Sequence, residues 1–526
     1  MRHATIMTAE EAVNLVKDGD TVASSGFVSS AIPEGLIKAL EARFLKTGTP
    51  RGLTYFYAGS QGLRDGRGGD HMAHKGLTKR VIAGHYNTAP ALGKCILDGE
   101  IEGYNFPQGT LSQLCRDIAA HKPGTITHVG LGTYVDPRHG GGKLNDITTE
   151  DLVEVVNILG EEKLIYKSFP INVAFLRGSY ADETGNVTMH REIAEGEVTA
   201  LAQAAKNSGG IVIVQVEKIV PAGTLDSRLV KIPRIYVDYL VVADPADHEQ
   251  TFGQDYDPAL TGETRIPLGE IAPVPLTAKK IIGRRAALEL TDDAVVNLGI
   301  GIPEYVAAVA NEEGIGDRLT LTVEAGPIGG VPAGGDRFGA AFNAECILAH
   351  HEQFDFYDGG GADLAFLGLA QTDEKGNINV SKFGPRLPGC GGFINISQNA
   401  KCMCFCGTFT AVGLKEEIAD GKLMIVQEGR EHKFLKAVEQ ITFSGDYAAK
   451  TGQKVLYITE RAVFELRADG LWLTEIAPGA DLQTQVLDQM DFVPHIDGEP
   501  KLMDARIFRD APMELSVEKK GGRHEF

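Results

Sequence analysis

No apolar run in these 526 residues reaches the ~20 needed to cross a bilayer, so no membrane partner is expected. The opening MRHATIMTAEEAVNLVKDGD lacks the apolar core of a signal peptide and carries the acids that transit peptides avoid, so a cytoplasmic location is expected. Positive charge is scarce. Against 71 Asp and Glu stand 51 Lys and Arg, and the net charge of -20 argues against nucleic acid as the main partner. Neither GxGxxG nor the GxxxxGK phosphate loop occurs, which leaves nicotinamide and P-loop nucleotide chemistry without support. GxSxG is also missing, and with it the usual α/β-hydrolase serine. His350-His351-Glu352 has no HExxH spacing, and no metal is expected. The seven cysteines are an odd number, and the four from Cys390 to Cys406 include no CxxC pair, as suits reduced thiols better than disulfides. Cys402, Cys404 and Cys406 lie at strand spacing and read as small apolar side chains on one face.

Glycine, by contrast, is abundant: 63 residues, well above the usual ~7%, so many loops are expected to pass close to something. The length is too great for one ordinary core and implies two or three domains. Thr8-Ala-Glu-Glu11 reads as a capping box. DTVASSGFVSSAIPEGLIKAL reads as strand, turn and helix, with Pro33 near the helix start. Alternating segments follow at 53–57, 126–129, 152–158 and 211–216, separated by helical patterns such as 197–206. This is an α/β layout with a sheet at least partly parallel.

From Asp247 the chain loses periodicity, and the α/β pattern restarts after Ala278. AVVNLGIGIPEYVAAV then echoes TVASSGFVSSAIPEGLIKAL, and TDEKGNINV echoes ADETGNVTM. Two echoes in the same order imply two related halves of one fold. The expected division is a first domain over 1–245, a connector over 246–278, a second domain over 279–517 and a frayed tail over 518–526. LWLTEIAPGADLQTQVLDQM reads as strand, turn and helix, the helix in DLQTQVLDQM.

Three stretches carry chemistry. Leu319–Val323 reads as a strand ending on Glu324, followed by the glycine-rich AGPIGGVPAGG. A carboxylate at the C-terminal end of a strand beneath such a loop sits where open α/β sheets place their sites, although a surface turn with a solvated glutamate has the same pattern. Gln108, in PQGT, either caps the following helix or offers its amide to a ligand. PGCGG, around Cys390-Gly391-Gly392, presents backbone N–H groups that can hold an anion. Together they suit a glutamate attacking an activated acyl group whose leaving group is a thiolate, with Gln108 and the Gly391 and Gly392 backbone stabilising the oxyanion.

VVNLGIGIP, Glu324-Ala325-Gly326, PQGTL, ADETGN, TDEKGN, PGCGG, FCGTFT, YITERAVFEL and LTEIAPGADL, taken in order over residues 5–515, resemble the family I coenzyme A transferases of the fused single-chain type. The resemblance implies two related open α/β domains with the active site in the cleft between them, and Glu324 forming first an acyl anhydride and then a glutamyl-CoA thioester. It implies no cofactor beyond coenzyme A thioester as substrate, and a homo-oligomer, dimer or tetramer. Gly326, Gly329, Gly330, Asn377, Lys382 and Arg386 are expected near CoA or the acyl group. Two positions depart from the family: Glu-Ala-Gly stands where many members have Glu-Asn-Gly or Glu-Ser-Gly, and Ser24-Ser25-Gly26-Phe27 is poorer in glycine than the usual GGF turn. The strings are closer to the acetate and propionate group than to the acetoacetate-dedicated one. Ile328, Val331 and Pro332 are the expected acyl-pocket wall, which predicts short unbranched monocarboxylates from acetate to butyrate. A distal carboxylate would instead call for Arg337 or Arg386. An acyl-CoA hydrolase on the same scaffold and a non-catalytic acyl-CoA-binding protein are the alternatives.

Overall fold

The computed structural model describes residues 3–267 and 273–518; of the expected frayed tail, all but residue 518 lies outside them. The chain divides into two compact units, and each is discontinuous in sequence. The first holds residues up to Ile266 together with Val323–Asp355 and Ser381–Asn395, and the second holds Pro267–Thr322, Phe356–Val380 and the chain from Ile396 onward.

In the first unit, eight strands form one parallel sheet: β1 (Thr5–Met7), β2 (Thr21–Ser24), β3 (Leu53–Tyr57), β4 (Thr78–Ala83), β5 (Glu102–Asn105), β6 (Val173–Asp182), β7 (Ile211–Val220) and β8 (Tyr239–Val242). Their order is β1-β8-β7-β6-β2-β3-β4-β5. Central strands read as near-continuous apolar runs because helices cover both faces. Val22, Tyr55, Tyr57, Val81, Phe175 and Ile213 all belong to one buried cluster. The capping box is present: Thr8 Oγ1 accepts the Glu11 N–H at 3.2 Å, and Glu11 Oε2 accepts the Thr8 N–H at 3.0 Å. The expected segments at 126–129 and 152–158 fall on Gly124–Thr127 and Val153–Ile158, which pair with Glu161–Lys167 in a separate antiparallel sheet. That sheet, with β4 and β5, accounts for the greater length of the first half.

The second unit carries β9 (Ala294–Leu298), β10 (Leu319–Thr322), β11 (Leu364–Gly368), β12 (Cys402–Cys406), β13 (Lys454–Ile458), β14 (Ala462–Arg467), β15 (Gly470–Ile476) and β16 (His495–Leu502), in the order β10-β9-β11-β12-β13-β14-β15-β16. The first five are parallel, and β13, β14 and β15 continue as an antiparallel meander. With β4 and β5 set aside, the core order β3-β2-β6-β7-β8 of the first unit matches β10-β9-β11-β12-β13 of the second. Side-chain detail matches too. In ADETGN, Asp182 Oδ1 accepts the Thr184, Gly185 and Asn186 N–H groups while Asn186 Nδ2 donates to Oδ2. In TDEKGN, Asp373 Oδ1 accepts the Lys375 and Asn377 N–H groups while Asn377 Nδ2 donates to Oδ2. The echo in sequence is one turn built twice.

Cys404 and Cys406 join the apolar core of the second unit, with Cys402 packed partly buried against it. The boundary between the two units falls inside the expected connector, and the described part of that stretch is packed: Thr251 and Leu260 are fully buried, and Gln250 Nε2 donates to the Arg191 carbonyl at 3.1 Å. One expectation differs from the structure. The helix expected in DLQTQVLDQM is one turn, Leu482–Gln485, followed by a 3-10 turn, Leu487–Gln489, because Val486 leaves helical geometry at φ -119° and ψ -68°. Among the described residues, no helix is long and apolar enough to cross a membrane.

Candidate active site

Glu324 stands on a β-turn that begins one residue beyond β10. The Gly326 N–H closes the turn onto the Val323 carbonyl at 3.0 Å, leaving Glu324 and Ala325 as its two central residues. Gly326 has φ +128°, and a Cβ there would lie 2.1 Å from the Leu348 carbonyl oxygen, so only glycine fits. The chain then doubles back: Pro327–Ile328 pairs with Cys346–Ile347, and Val331–Pro332 pairs with Ala341–Phe342. Gly329 is packed against Glu345, and Gly330 against the Phe342 carbonyl. The chain's own return path therefore requires glycine at 326, 329 and 330, whether or not a ligand lies near them.

Gln108 is the first residue of helix α1 (Gln108–Ala119), next to Pro107, and its side chain makes no cap. The local-capping alternative is thereby removed. At 1% exposure its amide needs a partner elsewhere, and Nε2 lies 2.8 Å from His350 Nε2. The backbone around it is tied to the glycine loop. The Gln108 N–H donates to the Gly391 carbonyl at 2.9 Å, the Gly391 N–H to the Gly84 carbonyl at 2.7 Å, and the Cys390 N–H to Asn105 Oδ1 at 2.9 Å. Gly391 is therefore corrected as an oxyanion donor, because its N–H is already spent. Among the described residues the Gly392 N–H has no hydrogen-bond partner. Gly392 also abuts the carboxylate: a Cβ there would lie 2.2 Å from Glu324 Oε2 and 3.0 Å from Phe354 Cζ.

The Glu324 residue is half-buried, but its carboxyl is packed among protein atoms. Desolvation pushes its pKa up from 4.5 to about 7. His350 opens helix α2 (His350–Asp358) and is 2% exposed. Its ring stands edge-on to Phe27 at 5.8 Å and to Phe354 at 5.2 Å, and its Nδ1 lies 2.9 Å from Glu197 Oε2. Phe27 belongs to the Ser24-Ser25-Gly26-Phe27 turn. There Gly26 has φ +133° and Val28 is left-handed at +55°, an unusual geometry for a β-branched residue.

The remaining expected residues fall in different places. Asn377 lies in the second unit with both ends of its amide used, on Asp373 and on the Gly445 N–H. Arg386 is exposed and, with Tyr86, Asn87 and Lys94, lines a recess of about 540 Å³ in the first unit. Lys382 is half-buried in the same segment as Arg386. Among the described residues, no group of three His, Cys, Asp or Glu is arranged to hold a metal. Sequence reasoning missed His350 and Glu197 as parts of this site. His350 was visible only as a histidine lacking metal-ligand spacing, and nothing local marks Glu197.

A desolvated carboxylate flanked by an amide and an unpaired backbone N–H is suited to covalent acyl transfer. Comparison with known proteins places the chain more closely. Residues 6–243 match the family model for coenzyme A transferase. The chain is 48% identical over 513 residues to caffeate CoA-transferase of Acetobacterium woodii, covering 96% of this chain and 98% of that protein. It is 44% identical over 510 residues to acetate CoA-transferase YdiF of Escherichia coli K12, with 97% and 96% covered. The solved thioester complex with CoA of the acyl-CoA transferase YdiF from E. coli O157:H7 superposes with a TM-score of 0.93 and 43% identity, over 98% of both chains. The chain belongs to the coenzyme A transferase family, in its fused single-chain form with two α/β halves, and is an enzyme that moves CoA between acyl-CoA and carboxylate substrates.

Proposed function

We propose that Glu324 is the nucleophile of a ping-pong transfer between a short-chain acyl-CoA and a free carboxylate. The ionised Glu324 attacks the thioester carbonyl, and collapse of the tetrahedral adduct expels CoA as its thiolate and leaves an acyl-glutamyl anhydride. The thiolate then attacks the glutamyl carbonyl, releasing the first carboxylate and forming glutamyl-CoA. The acceptor carboxylate reverses both steps. Each attack builds an oxyanion, for which the Gln108 amide and the Gly392 N–H are the donors, while Arg386 and Lys94 in their recess suit a phosphate of CoA. The observation that carries this reading is the Glu324 carboxyl packed against Gly392, where a Cβ would lie 2.2 Å from Oε2, in surroundings whose desolvation pushes its pKa up to about 7. A pKa near working pH gives a carboxylate that is both available and weakly solvated.

For the acyl group, apolar walls near Glu324 favour short monocarboxylates. Phe27, Val323, Ala325, Ala333, Ala340 and Ala341 belong to one buried apolar cluster, with Phe338 packed on it. The expected wall residues Ile328, Val331 and Pro332 are half-buried in the adjoining hairpins. A dicarboxylate would have to bury its second charge there without a partner, at a cost of several kcal/mol. The test has two arms. Incubation with acetyl-CoA alone, borohydride reduction and peptide mass spectrometry should find the reduced residue at position 324, and an adduct on a cysteine would overturn the assignment. An acceptor series of acetate, propionate, butyrate, acetoacetate, succinate and caffeate should rank the first three highest in kcat/KM. A preference for succinate or caffeate would refute the pocket reading, and free CoA released without acceptor would mark a hydrolase.

A further inference from the structure

Gln108 can serve an oxyanion only if the NH2 end of its amide, rather than the carbonyl end, faces Glu324. The two ends are nearly equal in size, so packing alone does not choose between them. The hydrogen-bond chain behind Gln108 does. Glu197, 2% exposed, is a carboxylate and can only accept, so His350 Nδ1, 2.9 Å from its Oε2, carries the ring proton. With its one proton on Nδ1, the neutral form of the ring offers Nε2 as an acceptor. The Gln108 atom 2.8 Å away must be its nitrogen. One N–H is used on His350, and the second remains for the carboxyl side of the site, where the Gln108 side chain lowers the Glu324 pKa. The Gln108 carbonyl oxygen is turned toward Gly59 and Gly391, where hypothetical Cβ atoms would lie 3.6 and 3.7 Å from it. Were the ring proton on Nε2 instead, Gln108 would have to turn its oxygen to the ring and toward the Glu324 carboxylate, reversing its dipole. Phe27 and Phe354, edge-on to the ring, keep the imidazole from turning to compensate.

We propose that Glu197 and His350 are positioning residues for CoA transfer: the Glu197 carboxylate fixes the His350 tautomer, and the tautomer fixes which end of the Gln108 amide faces Glu324. This rests on the reading of Glu324 as nucleophile. Glu197→Gln keeps the size but lets an amide donate to Nδ1, which favours the opposite tautomer. The expected result is a loss of about 10–100-fold in kcat, the range that supporting hydrogen-bond partners carry at metal-ligating histidines, with KM for acetyl-CoA little changed. His350→Leu should lose at least as much. The discriminating measurement repeats Glu197→Gln in a Gln108→Ala background. With no amide left to orient, the second substitution should cost less than about 2-fold, whereas a merely structural role would cost the same in both backgrounds. Should His350→Leu fail to fold, the Glu197→Gln cycle decides alone. Additive losses, or an unchanged kcat in Glu197→Gln, overturn the proposal. Single-turnover formation of glutamyl-CoA separates the two levels. A wild type that forms no adduct at residue 324 overturns the nucleophile reading and this inference with it. A Glu197→Gln variant that forms the adduct at the wild-type rate overturns this inference alone.

Discussion

Replacing Glu324 by glutamine should stabilise the protein at alkaline pH while abolishing transfer. In the folded chain the Glu324 pKa stands at about 7 against 4.5 for an unhindered glutamate. Holding that carboxylate ionised therefore costs about 3 kcal/mol of folding free energy, somewhat less for the residual solvent access of a half-buried residue. The sign follows from proton binding. Below pH 4.5 the folded and unfolded chains both hold the proton, and glutamate and glutamine differ little. Between about 4.5 and 7 the unfolded chain releases it while the folded chain retains it, so the wild type loses stability as pH rises. Above about 7 the loss is complete. The stability difference between Glu324→Gln and wild type should thus open across that window and level off near 2–3 kcal/mol by pH 8. Urea unfolding followed by far-ultraviolet circular dichroism at pH 5 and pH 8 measures it. The one tryptophan, Trp472, lies in the second unit, so its fluorescence would miss the first. A difference equal at both pH values, or a variant less stable than wild type at pH 8, would refute the desolvation argument.

Three further outcomes are expected. Gly392→Ala puts a Cβ 2.2 Å from Glu324 Oε2, so the carboxylate must move; transfer should fall ~10²-fold or more in a steady-state assay while the unfolding midpoint changes little, because the far end of a side chain can yield. Gln108→Ala removes one oxyanion donor and should lower kcat by roughly 10²–10³-fold, and unchanged kinetics would remove it from the site. His71 is clamped between Glu34 Oε1 at 2.7 Å and Glu41 Oε2 at 2.5 Å; these carboxylates overcome desolvation and raise its pKa. Its contribution is present below the unfolded pKa and lost as pH rises through the folded one, so His71→Gln should destabilise the protein at pH 6 and less at pH 9, as urea midpoints will show.

Much of the frame was legible because each element carries a local cause. The aromatic-rich run at 53–57 and the aliphatic run at 211–216 each follow a glycine and are rich in strand-forming side chains, and both are strands. The repeated Asp-Glu-x-Gly-Asn string was readable as an echo because one aspartate must satisfy several N–H groups of one turn, a demand that fixes residue types at fixed offsets. Glu324 was legible for the same reason: its strand, its turn and its obligate Gly326 are contiguous. Gly391 misled because a glycine loop looks alike whether its N–H groups are free or spent, and the Gly84 carbonyl that takes this one is 307 residues away in sequence. His350 and Glu197 were illegible for a related reason. A tautomer is set by the partner of the opposite ring nitrogen, and that partner lies 153 residues from the histidine.

The duplication also bears on why only one half carries an acid at this strand end. β3 and β10 occupy the same place in matching strand orders, and both begin Leu-Thr. Counted from that start, Ala58 stands in the first half where Glu324 stands in the second. A Cβ on nearby Gly84 would lie 2.3 Å from the Ala58 carbonyl and 3.2 Å from Gln108 Cβ, so the chain at Ala58 is packed directly against the segment that carries the amide. A glutamate at Ala58, a residue only 1% exposed, would bury a second carboxylate in the unit that already holds Glu324. A second buried carboxylate would carry its own desolvation cost, on top of the one that already lifts Glu324 to about 7. The half without the acid carries Gln108 instead, the neutral donor proposed above for the Glu324 site.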